Sequence, residues 1–116
     1  MTAAKYDINI DQGSDFSIGI TVSDSDGVRN LSNFSARASM RPSASSPDSD
    51  ATDFSFDLTN RANGIIIMQL AHTVSRDMTA GTYLYDLEIF QGSAPNEESV
   101  TRLMQGKVVI NPEVTK

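Results

Sequence analysis

The chain has 116 residues, no Cys, one His and a formal net charge of −6. A single domain is expected at this length, and the absence of Cys excludes disulfide bonds, thiolate zinc sites and thiol nucleophiles. The acidic balance argues against a nucleic-acid partner, and a multi-histidine metal site is impossible with His72 alone. No secretory signal and no run long enough to span a bilayer is visible, so we expect no membrane association.

Apolar residues alternate with polar ones along most of the chain, which predicts strands with one buried face. The first segment, with Tyr6, Ile8 and Ile10, is a first strand or a swapped arm. Turn signals such as Asp26-Gly27 and Asn63-Gly64 separate the later segments. The further predicted strands cover 16–22, 34–40, 54–58, 65–70, 83–89 and 100–110, and the last is expected to keep one parity inward.

These short strands predict an all-β fold, a single antiparallel β-sandwich of the immunoglobulin-like kind with about seven strands, covering residues 1–116. A single helical turn, capped by Thr73, is expected within 72–78. Flexible loops are expected near 42–53 and 91–99, where the sequence offers little apolar surface to bury. The predicted core contains Ile18, Ile20, Ile67, Tyr85, Leu87 and Val108.

Tyr83 follows the turn at Ala80-Gly81. Immunoglobulin-like sandwiches often place a Tyr after such a turn, where its hydroxyl bonds to the backbone a few residues upstream. We therefore predict that Tyr83 locks the fold and takes no part in chemistry.

Three groups of polar residues allow a chemical interpretation. The first-half aspartates, including Asp24 and Asp26, suggest calcium, but no Glu closes a calcium loop and turns explain them better. Asp86 and Glu88 share a strand face and could act on glycosides, although cross-strand pairing with Arg37, Arg41 or Arg102 is the simpler interpretation. His72 has no evident orienting partner for a hydrolase. We therefore predict no enzyme activity, no catalytic residue, no metal and no cofactor.

Five segments of the chain are informative as a set, and they cover residues 12–16, 30–37, 64–67, 80–88 and 100–115. Together, and in this order, they resemble small β-sandwich proteins from tailed bacteriophages, including phages of marine cyanobacteria. Asn33 stands where that family often has Gly, and Met78 stands where Leu is usual; both replacements are conservative.

The resemblance implies a non-enzymatic structural or accessory virion protein, assembled in the host cytoplasm, that binds other virion proteins in several symmetric copies. It leaves head, neck, tail and baseplate open as locations, and it implies no small-molecule substrate. A carbohydrate-binding module for host-surface glycans is the alternative. The expected interface lies at sheet edges near the termini, with Tyr6, Ile8, Ile10 and Val109 as its candidate residues.

Overall fold

A computed structural model describes residues 4–24, 27–43, 45–92 and 99–114 of the chain. Seven of its strands span three or more residues, in agreement with the predicted number. One α-helix, α1 (His72–Arg76), and two 3-10 turns accompany them. The strands are β1 (Ala4–Lys5), β2 (Ile8–Asp11), β3 (Phe16–Thr21), β4 (Ser23–Asp24), β5 (Gly27–Val28), β6 (Ser35–Arg41), β7 (Thr52–Asp53), β8 (Ser55–Asp57), β9 (Ile65–Leu70), β10 (Gly81–Gln91) and β11 (Ser99–Asn111).

The strands form a β-sandwich, as predicted. The large sheet has the order β1-β11-β10-β6-β7, with β2 also paired to β11, and the small sheet has the order β3-β9-β8. β1 and β2 run parallel to β11, whereas all other pairs are antiparallel, so the expectation of a purely antiparallel sandwich is wrong at this edge. The reason is that β2 leads into the other sheet instead of folding back as a hairpin on its neighbour.

The core lies between the two sheets. Tyr85, Leu87 and Val108 are buried in it, as predicted, whereas Ile18 and Ile20 are only half-buried. Ile67 is wrong as a core residue, because β9 turns Ile66, Met68 and Leu70 inward. Its apolar run occupies both parities, so period-2 alternation could not decide which face is buried.

A β-bulge in β11 contradicts the single parity expected for that strand. Leu87 pairs with Met104 and Glu88 with Arg102, which leaves Leu103 as the extra residue. Leu103 and Met104 are both buried, while Val100 is 47% exposed. One inserted residue moves every side chain before it to the other face, so Val100 and Arg102 face outward.

Two local expectations need correction. The N-cap of α1 is Ala71, not Thr73, and Asp15 accepts the hydrogen bond from the main-chain nitrogen of His72 at 2.7 Å. The segment predicted as a loop over 42–53 ends in β7, which pairs with β6. The tip of the second predicted loop, 93–98, lies outside the described residues.

Candidate functional site

The amino-terminal segment forms an edge of the large sheet, and most of its side chains are exposed, but its two isoleucines face the core. Ile8 and Ile10 lie on the edge strand β2, but their side chains are 3% and 2% exposed and belong to the core, so a contact there would use the main chain. Their role at an interface stays a prediction. Val109 is wrong as an edge residue, because β11 is paired on both sides, with β10 and with β2. Tyr6 is 46% exposed and remains available for contact.

Tyr85 fastens this edge to the middle of the sheet. Its hydroxyl donates a hydrogen bond of 2.5 Å to the main-chain carbonyl of Tyr6. Gly106, the partner of Tyr85 on β11, leaves the space that this carbonyl occupies. A Cβ atom at Gly106 would lie 2.5 Å from the Tyr6 oxygen and 2.8 Å from Oδ1 of Asp7. The sequence signal for this arrangement is a glycine at inward parity within a long strand.

Asp7 completes the junction between β1 and β2. Its Oδ1 accepts a hydrogen bond of 3.0 Å from the main-chain nitrogen of Lys107. Burial, followed by the nearby charge of Asp7, raises the pKa of Tyr85 to about 12. The phenol therefore stays protonated and keeps donating to Tyr6 well into the alkaline range.

Tyr83 has the hydrogen bond that its sequence context predicts. Its hydroxyl donates to the main-chain carbonyl of Thr79 at 2.6 Å, four residues upstream. This contact holds the turn that precedes β10 against the start of β10. The contribution of Tyr83 to stability stays a prediction.

The outer face of the large sheet carries cross-strand ion pairs. Nε of Arg37 lies 2.9 Å from Oε1 of Glu88, and its guanidinium stacks 4.7 Å from the ring centroid of Phe90. Nε of Arg102 lies 3.5 Å from Oδ2 of Asp86. These pairings agree with the simpler interpretation of the two carboxylates, which therefore serve as cross-strand partners of arginines.

A groove of about 620 Å³ lies beside these pairs on the same face. Leu84, 40% exposed, contributes apolar surface to it. Asp86 is the acidic residue of its lining, against four basic ones, so the groove is locally positive in an acidic chain. The basic residues are Lys5, Arg41, Arg102 and Lys107.

The edge strands differ in charge and length. β2 ends with Asp11, β7 with Asp53 and β8 with Asp57, and each has four residues or fewer. β3, at the edge of the small sheet, has six residues and no charged one. Charged side chains are a common protection of edges against pairing with another chain, so β3 is the least protected edge.

His72 does have an orienting partner, contrary to expectation. Its Nδ1 lies 2.8 Å from Oδ1 of Asp15, and the two hydrogen bonds from His72 lower the pKa of that carboxyl. The hydroxyl of Ser75 is buried, donates toward the carbonyls of Ser14 and His72, and accepts from the nitrogen of Gly13 at 3.0 Å. Ser75 thus fastens α1 to the β2–β3 turn, and its oxygen is not placed for nucleophilic attack.

The aspartates do not converge. Within 4–24, 27–43, 45–92 and 99–114, no group of three or more His, Cys, Asp or Glu could hold a metal ion. The suspected calcium loop corresponds to the β4–β5 hairpin, whose tip at 25–26 lies outside the described residues. In the same described part, no helix is long and apolar enough to cross a membrane.

The aromatic rings mostly serve the interior. Phe54 lies 6.4 Å from Phe16 and 6.4 Å from Tyr85, measured between ring centroids, and this cluster joins the two sheets. On the outer face, Phe90 is covered by the guanidinium of Arg37. A glycan platform requires exposed rings side by side, and among the eight aromatic residues Tyr6 alone is largely exposed.

No protein-family model matches the chain, and no curated protein matches it in sequence.

Proposed function

We propose that the chain is a non-enzymatic structural or accessory protein of a tailed-phage virion, and that it acts by binding neighbouring virion subunits. The virion assignment rests on the five segments that resemble the phage sandwich proteins. These segments overlap five strands, since they include the first residue of β3, the first three residues of β6, the first half of β9, and most of β10 and β11. Resembling segments that lie on strands are what we expect if the chain and the phage proteins share a β-sandwich fold.

The observation that carries a binding role, in preference to catalysis, is how the polar side chains are used. The hydroxyls of Tyr83, Tyr85 and Ser75 all bond to main-chain atoms. Asp86 and Glu88 pair with arginines across the strands. These groups hold strands, turns and α1 in place, while the uncharged edge at β3 and the positive groove on the large sheet offer surface to a partner.

Mass spectrometry of gradient-purified particles tests this proposal. We expect the chain to be retained after a high-salt wash, at a fixed ratio to a major structural protein. A non-structural protein of the same phage, abundant in the infected-cell lysate, is the negative control. If the chain is as depleted from particles as that control, the virion role is wrong.

A further inference from the structure

β3 leaves three pairs of main-chain groups without a partner strand. The nitrogen of Val22 donates to the carbonyl of Gly64 at 2.8 Å, so residues of even number along this strand bond toward β9. Alternation in an antiparallel ladder then turns the N–H and C=O groups of Ser17, Gly19 and Thr21 away from β9. On that side β3 pairs with no other strand of the described chain.

The side chains of β3 are also incompletely covered. Phe16, Ile18 and Ile20 pack against the core but stay half-buried, unlike the matching residues of the central strand β9. On the opposite face, Ser17, Gly19 and Thr21 are small and exposed, and nothing lies within 4 Å of a Cβ atom built on Gly19. The edge is thus unbonded along its backbone and partly uncovered on its apolar face.

We infer that β3 binds β3 of a second copy of this chain, antiparallel, about a two-fold axis at Gly19. The inference rests on the proposed function in taking the chain to work through contacts between subunits. In this register Ser17 faces Thr21 of the second copy and Gly19 faces its own equivalent. The outward groups of the two strands then form about six hydrogen bonds, because facing residues of this parity exchange two each.

The same register accounts for the half-buried isoleucines. Ile18 of one copy faces Ile20 of the other, twice about the axis, so each covers apolar surface that a single copy leaves exposed. The two small sheets become one continuous sheet of six strands. In an isologous contact both copies use the same surface, so the strand must be self-complementary. β3 is self-complementary because of its small, uncharged residues.

Charge favours this edge over the others for a second copy. Each copy carries a net charge of −6, and the edges at β2, β7 and β8 all include an aspartate. Like charges facing each other across a strand pair are destabilising, whereas β3 brings no charge to the contact. One strand pair buries little area for a dimer, so we expect a concentration-dependent equilibrium between monomer and dimer.

Two double variants test the register, measured by sedimentation equilibrium of the purified chain between about 10 µM and 1 mM. Ser17→Lys/Thr21→Lys places lysine opposite lysine twice, and we expect its dimer dissociation constant to rise at least about tenfold. Ser17→Lys/Thr21→Glu places lysine opposite glutamate twice and should lower that constant severalfold. Both variants change the same exposed positions, so their opposite effects report the pairing itself.

A third variant tests the backbone contact. Gly19→Pro removes a donor that faces away from β9, a position where an edge strand tolerates proline, and should abolish the dimer. Gly19→Ala keeps the donor and should still dimerise. Circular dichroism and thermal unfolding establish whether each variant is folded. If the proline variant does not fold, the comparison of the two charge variants still decides the test.

A wild-type chain that stays monomeric up to about 1 mM would overturn the inference. So would a dimer whose dissociation constant is the same in both charge variants, since it would use another surface. The virion role fails separately: a chain that dimerises through β3 but is absent from purified particles refutes that role and leaves the strand pairing intact.

Discussion

The hydroxyl oxygen of Tyr85 lies 2.5 Å from the main-chain carbonyl oxygen of Tyr6, although 79 residues separate them in sequence. This hydrogen bond fastens the amino-terminal edge of the large sheet to β10, across β11. The edge therefore belongs to the folded domain, since its Ile8 and Ile10 are core residues. Within the single chain these contacts join the amino-terminal edge to its own sheet, which agrees with the alternative of a first strand.

We predict that Tyr85→Phe lowers the free energy of unfolding by about 1–3 kcal/mol, because the carbonyl of Tyr6 loses its donor. Urea unfolding followed by circular dichroism measures the change. Hydrogen exchange should rise first at β1 and β2. An unchanged unfolding midpoint would show that the hydroxyl does not hold the edge.

We predict that Gly106→Ala destabilises the fold by about 1–3 kcal/mol, because its methyl group would overlap the carbonyl of Tyr6. Gly19→Ala is the matched control, since its methyl group meets nothing within 4 Å. Thermal unfolding of the two variants compares them directly. Equal midpoints would contradict the close approach of β1 to β11.

We predict that Leu87→Ala costs about 2–5 kcal/mol, since Leu87 is fully buried in the core. Leu84→Ala, three residues earlier on the same strand, should cost about 0.5 kcal/mol or less because it faces the outer groove. Guanidinium unfolding gives both values. Similar losses in the two variants would mean that the inward parity of β10 is wrongly assigned.

Alkaline pH should weaken the fold through Tyr85. Its pKa is raised from 10.0 to about 12, so the unfolded chain loses the phenolic proton before the folded chain does. Stability from this group is complete below pH 10 and declines as pH rises toward 12. Tyr85→Phe should therefore show a shallower decline over this range than the wild type. Parallel declines in the two proteins would assign the effect to other groups.

Much of the fold could be predicted from alternation and turn residues, and the failures have physical causes. Strand 65–70 is apolar at both parities at its start, so no pattern could choose Ile66 over Ile67 as the buried residue. The bulge at Leu103 reverses the inward parity of β11. Even-numbered positions are apolar on both sides of it, at Val100 and at Met104, so the alternation gave no sign of the reversal. Parallel pairing of β2 with β11 joins residues about 100 apart, and no turn between them reports the direction.

The candidate surfaces could be predicted from the sequence less well than the core. Tyr83 could be predicted because its hydrogen bond to Thr79 is local. Val109 was misplaced because an apolar strand near the end of a chain is equally compatible with an edge and a centre. The contact of His72 with Asp15 joins residues 57 apart, so neighbouring sequence gave no sign of it.

A density map of the intact virion is the most direct test of a structural role through subunit contacts. We expect the sandwich at full occupancy in a symmetric arrangement, with the edge at β3 or the groove on the large sheet covered by a neighbouring subunit. Particles whose density is fully assigned to other proteins, with no position for this sandwich, would contradict that role.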